Sequence, residues 1–92
     1  MQVVGLSRVL FILKNNEITT IPDRYFLNFS DITIIDLTGN KIHDAISSQK
    51  FAGLQVIRTI ILDKNLITEI SSEAFANMGY LRQVSLISCK VE

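Results

Sequence analysis

The chain has 92 residues, 48% of them hydrophobic, and nine Lys/Arg side chains balance nine Asp/Glu for a formal net charge of zero. At this length one small domain with a thin core is the ceiling, because such a chain buries only about 60–70% of the surface its unfolded form exposes. Neutral charge argues against nucleic acid or an anionic membrane as partner, no run reaches the ~18–20 apolar residues of a membrane span, and a single cysteine cannot form an internal disulfide.

The opening stretch, MQVVGLSRVLFILKNN, is apolar but carries Arg8 in its middle. It has no basic n-region and no small-residue cleavage site, so it does not read as a signal peptide. Alternation then predicts a short strand at 10–13 with Phe11 and Leu13 turned inward. Asn16 stands three residues after Leu13, and Ile18 two further on. PDRYF (22–26) offers a proline start for a short helix or 3₁₀ turn, with Phe26 and Phe29 filling the space behind the strand.

The same order then returns. A second strand is predicted at 34–37 with Ile35 and Leu37 inward, followed by Asn40, Ile42, Phe51 and Leu54. A third at 59–62 has Ile60 and Leu62 inward, then Asn65, Ile67, the serine-started SSEAF segment, Phe75 and Met78. A fourth at 83–86 has Val84 and Leu86 inward, and Cys89 falls 24 residues after Asn65. The asparagine spacings are 24 and 25. The second copy is thus one residue longer, with Ala45–Ile46 where Ile21 and Ile70 stand alone, and a small shift or bulge is expected there. Arg8 occupies the column that Ile32, Ile57 and Leu81 hold later, which makes the first copy eroded or a partly polar cap.

Short strands about one repeat apart, each followed by a return segment, stack as parallel neighbours along a solenoid. The asparagine amide both donates and accepts, so it can satisfy backbone groups in a turn that buries them. A helical hairpin with leucines at period 3.6 is the rival reading. It fails on the LxL alternation around β-branched residues. The segments FILKNNEITTIPDRYFLNF, IIDLTGNKIHDAISSQKFAGL and IILDKNLITEISSEAFANM resemble the leucine-rich repeat, LxxLxLxxNxLxxL followed by a phenylalanine segment, in its typical 24-residue form. The resemblance covers nearly the whole chain.

It implies an α/β fold: a right-handed solenoid with short parallel strands on a concave face and turns and short helices on the convex one. One array over 1–92 is expected, with repeats at about 8–31, 32–56 and 57–80 and a partial copy at 81–92. The resemblance also implies recognition of a protein partner through the concave face. Its subtype points to an extracellular protein or a membrane-protein ectodomain; the absence of disulfides favours the alternative, a cytoplasmic repeat protein.

The outward strand positions are Leu10, Ile34, Thr59 and Gln83, then Ile12, Asp36, Ile61 and Ser85, then Lys14, Thr38, Asp63 and Ile87. Of these, Ile12, Lys14, Ile34, Asp36, Thr38, Thr59, Ile61, Asp63, Ser85 and Ile87 are the expected partner-binding set. Their aliphatic members suit a docking surface and also suit strand propensity. The alternative function is a structural spacer in a larger receptor or matrix protein. Lys14 and Asp36 are expected to form a surface ion pair, and Asp36 with Asp63 offers too few oxygens for calcium.

Asn16, Asn40, Asn65 and Cys89 form one structural column, in which a buried thiol packs well and donates weakly. Only Lys90 adjoins Cys89, and His43 belongs to another repeat, so neither a reactive thiolate nor a metal pair is expected. Asn28-Phe29-Ser30 is a glycosylation sequon with Phe29 in the core and Asn28 outward. Without a Ser–His–Asp set, a phosphate loop or a paired-carboxylate cleft, no enzymatic activity, cofactor or metal is expected. The sequence stops just past the fourth strand, which predicts a slice of a longer solenoid whose apolar C-terminal edge is open to self-association.

Overall fold

A computed structural model describes residues 9–89; Arg8, assigned above to a repeat column, lies outside the described residues. Four strands, β1 (Val9–Ile12), β2 (Ile32–Asp36), β3 (Thr59–Ile61) and β4 (Gln83–Ser85), make one sheet in the order β1-β2-β3-β4. Every pairing is parallel. Register follows the repeat: Phe11 pairs with Ile35, Ile35 with Ile60, and Ile60 with Val84. Within the sheet, the register shifts between Val9 and Leu10 of β1.

Identical columns build the core by stacking on themselves. Ile35 and Ile60 are buried behind the sheet, with Leu37 and Leu62 after them and Ile42 and Ile67 in the following turns. Burial of each such side chain contributes about 1.5–3 kcal/mol. Behind them the phenylalanines form a column of their own. The rings of Phe26 and Phe51 stack at 5.9 Å, and those of Phe51 and Phe75 at 6.2 Å. Leu13, expected inward, is 39% exposed. Leu37 and Leu62 have a described repeat on either side, whereas Leu13 has one on a single side only.

The return segments are turns, and no helix occurs among the described residues. The expected short helices fail because the bonds closing three-residue steps skip every second residue. Tyr25 N–H donates to Pro22 O, Leu27 N–H to Arg24 O and Phe29 N–H to Phe26 O. The third return segment repeats the pattern with Ala74 to Ser71, Ala76 to Glu73 and Met78 to Phe75. A helix needs consecutive bonds. Arg24, at φ 62°, instead turns its N–H across to Gln49 O of the next repeat.

Two further points define the return side. Ile46 and Ile70 form a parallel bridge, and no such bridge joins Ile21 to Ile46. Gly53, at φ 98°, lies against the first return segment, where a Cβ would stand 2.6 Å from the Leu27 Cα. Only glycine allows that approach.

Candidate partner-binding face

Strand alternation sends one set of side chains to the side of the sheet away from the core. Leu10, Ile34, Thr59 and Gln83 fall in one row of the register, and Ile12, Asp36, Ile61 and Ser85 in the next. Within this grid the aliphatic residues run diagonally. Leu10 and Ile12 start on β1, Ile34 follows on β2, and Ile61 lies one strand on and two residues up. Ile87, just past β4, continues the same step. Leu10, Ile12 and Ile87 are at least half exposed, and Ile34 and Ile61 are half-buried.

The carboxylates above this diagonal are held by their surroundings. Asp36 Oδ1 accepts from the Thr38 N–H at 3.1 Å and the Thr38 hydroxyl at 2.6 Å. Asp63 Oδ1 accepts from the Ser85 hydroxyl at 2.6 Å and the Ile87 N–H at 2.9 Å, tying the third repeat to the fourth. Lys14 is exposed and forms no ion pair with Asp36. The expected pair does not form; the Asp36 carboxylate is oriented by its two bonds from Thr38 in the same turn.

Beneath the strand ends runs the asparagine column. Asn40 donates to Leu13 O and Leu37 O, both at 2.9 Å, and accepts from the Ile18 N–H at 3.1 Å. Asn65 donates to Leu37 O, Leu62 O and Asp63 O and accepts from the Ile42 N–H at 3.0 Å. Each amide therefore bridges two repeats. Asn16 is exposed and, among the described residues, bonds only the carbonyls of Leu13 and Lys14 in its own turn. Cys89 is half-buried rather than buried, and its thiol donates to Leu62 O at 3.1 Å, the carbonyl one repeat back. Sulfur is a poor acceptor, and among the described residues nothing accepts from the Ile67 N–H as Asn40 and Asn65 accept from Ile18 and Ile42.

A polar cluster on the return side escaped the reading of the sequence. Asp44 Oδ2 accepts from the Thr20 hydroxyl and the Ile21 N–H, both at 2.7 Å. Lys50 Nζ donates to Ile21 O at 2.7 Å and lies 3.1 Å from both Asp44 and Asp23. The side chains of Asp44 and Lys50 are each only 13% exposed. Burial pushes the Asp44 carboxyl up, but hydrogen bonds from Thr20, Ile21 and Lys50 and the Lys50 charge hold it below 3.8. Burial likewise pulls the Lys50 amine down, and its bonds to Asp44 and Asp23 lift it above 10.5. Both groups are therefore charged at neutral pH. Thr20 and Asp44 stand 24 residues apart, so reading polar residues at the repeat spacing would have found them.

Asn28 is exposed in the first return segment. His43 is exposed, with Nδ1 3.4 Å from Lys41 O of its own turn. Among the described residues no three His, Cys, Asp or Glu side chains converge as metal ligands, and no helix is long and apolar enough to cross a membrane. A cavity of about 200 Å³ beside the first repeat is lined by Phe11, Leu13, Ile21, Tyr25 and Phe26 among others and holds no titratable pair suited to catalysis.

A family model described as "Leucine rich repeat" matches residues 9–62, more than half of the chain. No curated protein matches the sequence. Domains of this family generally mediate protein–protein interaction and are typically not enzymes. Repeat-spaced parallel strands, a column of amides bridging them and this match agree: the chain belongs to the leucine-rich-repeat family.

Proposed function

We propose that the protein binds a protein partner through the outer face of its sheet, the concave side of such a solenoid. The observation that carries this reading is the diagonal of aliphatic side chains from Leu10 and Ile12 through Ile34 and Ile61 to Ile87, held in water on a sheet whose other face is core. Apolar surface grouped on one face marks an interaction site. Lys14, Asp36, Thr38, Thr59, Asp63 and Ser85 supply its polar rim, and net neutrality favours protein over nucleic acid. The setting proposed is the extracellular side, as a secreted protein or an ectodomain.

The spacer reading draws on one specific observation. Asp36 and Asp63 each commit an oxygen to Thr38 or to Ser85 and Ile87, as in a sheet that only props up its neighbours. Photo-crosslinking residues placed at Ile12 and Ile87, and on the return side at Glu73 and Ala76, separate the two in the protein's native setting. Adducts to another protein are expected from positions 12 and 87 and to be lost in Ile61→Asp. Adducts confined to 73 and 76 would overturn the binding assignment.

A further inference from the structure

We propose that Asn28 is an acceptor for N-linked glycosylation. Of the six asparagines in the chain, Asn28 alone stands two places before a hydroxyl residue with a residue other than proline between. The fold separates it further from three of the others. The amides of Asn16, Asn40 and Asn65 are bonded to backbone carbonyls. Asn28 and Ser30 are exposed, and neither side chain has a hydrogen-bond partner among the described residues.

Phe29, between them, is partly buried and pinned by aromatic rings. It stacks on Tyr25 at 5.8 Å and meets Phe26 at 6.0 Å and Phe11 at 6.4 Å. The middle of the triplet is thus anchored while its two reacting ends face solvent. Tyr25 and Leu27, both about half exposed in the same turn, give the first sugar ring apolar surface to cover.

The reaction joins Asn28 Nδ2 to C1 of the first sugar of a polyisoprenyl-diphosphate-linked oligosaccharide. The C1–O bond to the diphosphate breaks, the lipid diphosphate leaves, and the amide gives up one proton. Asn28 lies four residues before Ile32, at the edge where the strands begin. Asp36, Thr38, Asp63 and Ile87 lie toward the edge where they end. A glycan at Asn28 therefore leaves that end of the sheet open, and this site stands whether or not the sheet binds a partner.

The test is translation of the full chain, fused to a cleavable secretion leader, into microsomes. One glycosidase-sensitive step in mobility is expected, lost in Asn28→Gln and Ser30→Ala and retained in Ser30→Thr. Asn77 occupies the equivalent place in the third repeat, followed by Met78 and Gly79, and a Cβ at Gly79 meets nothing within 4 Å. Gly79→Ser completes the same triplet there and is expected to add a second step without disturbing the first. Translocated wild-type chain showing no step, a step that survives Asn28→Gln, or no added step in Gly79→Ser would each overturn the assignment.

Discussion

Two junctions on the return side do the same task with different chemistry. Between the second and third repeats, Ile46 N–H donates to Glu69 O at 3.0 Å and Ser71 N–H donates to Ile46 O at 2.8 Å, a bridge made wholly of backbone. Between the first and second, Ile21 N–H donates to the Asp44 carboxylate and Ile21 O accepts from the Lys50 ammonium, both at 2.7 Å. The same two backbone groups are satisfied in both places. The difference arises from one extra residue: Ile46 follows Ile42 by four positions, whereas Ile21 follows Ile18 and Ile70 follows Ile67 by three. The added residue displaces the backbone groups that would have bridged to Ile21, and an ion pair replaces them. A solenoid can thus absorb a length change by passing backbone bonds to side chains, at the cost of tying that junction to charge and pH.

The largest effect should come from removing the cation. Lys50→Met keeps the apolar stem but leaves Asp44 unpaired and Ile21 O without its donor. A loss of about 3 kcal/mol is expected in urea unfolding. Deleting Ala45 restores the shorter spacing. In that background Lys50→Met should cost under about 1 kcal/mol, a coupling of about 2 kcal/mol that a double-mutant cycle would read. An undiminished cost would show that the ion pair does not stand in for a bridge.

Asp44→Asn comes next, at about 1.5 kcal/mol near neutral pH. Because the folded Asp44 carboxyl sits below 3.8, its contribution is present above that value and lost as pH falls through the folded value. Lys50, raised above 10.5, contributes fully below 10.5 and loses that contribution as pH rises through its folded value. The wild-type urea midpoint should therefore fall more steeply than that of Asp44→Asn as acid protonates the folded carboxyl, with the two curves parallel near neutral pH. Parallel curves throughout would remove the carboxylate from the account. The smallest change is a gain. Cys89→Asn gives the Ile67 N–H an acceptor of the kind Ile18 and Ile42 have, and about 1 kcal/mol of added stability is expected.

Much of this architecture was legible in the sequence because a repeat advertises whatever must stack upon itself. Ile35 above Ile60, Phe26 beside Phe51 and Asn40 beside Asn65 recur at the repeat length, since each column needs the same shape in every coil. The outward positions were legible from alternation, but their diagonal grouping needed the strand register. What a column cannot state is the context of one copy. Leu13 carries the same letter as Leu37 and is exposed, with a described coil on one side only where Leu37 has one on each. The Asp44–Lys50 pair was hidden for the opposite reason: it occurs once. Polar residues at the repeat spacing, Thr20 and Asp44, mark the place, but Lys50 has no counterpart at Tyr25 or Ala74, and the pairing gains meaning only when Ile21 is found without a backbone partner. PDRYF and SSEAF carried sound helix-start chemistry, yet their alternating bonds, and in PDRYF the left-handed Arg24, settle them as turns.

Gly53 bears on how far the repeats are interchangeable. Its column in the first and third copies holds Asn28 and Asn77, so those copies carry a side chain where the second cannot. Transplanting either into the second place would drive a Cβ to within 2.6 Å of the Leu27 Cα. The units look alike in profile but are ordered in sequence. Shuffling or duplicating them would fail at this position first, so the array has an order fixed by a single missing methyl group.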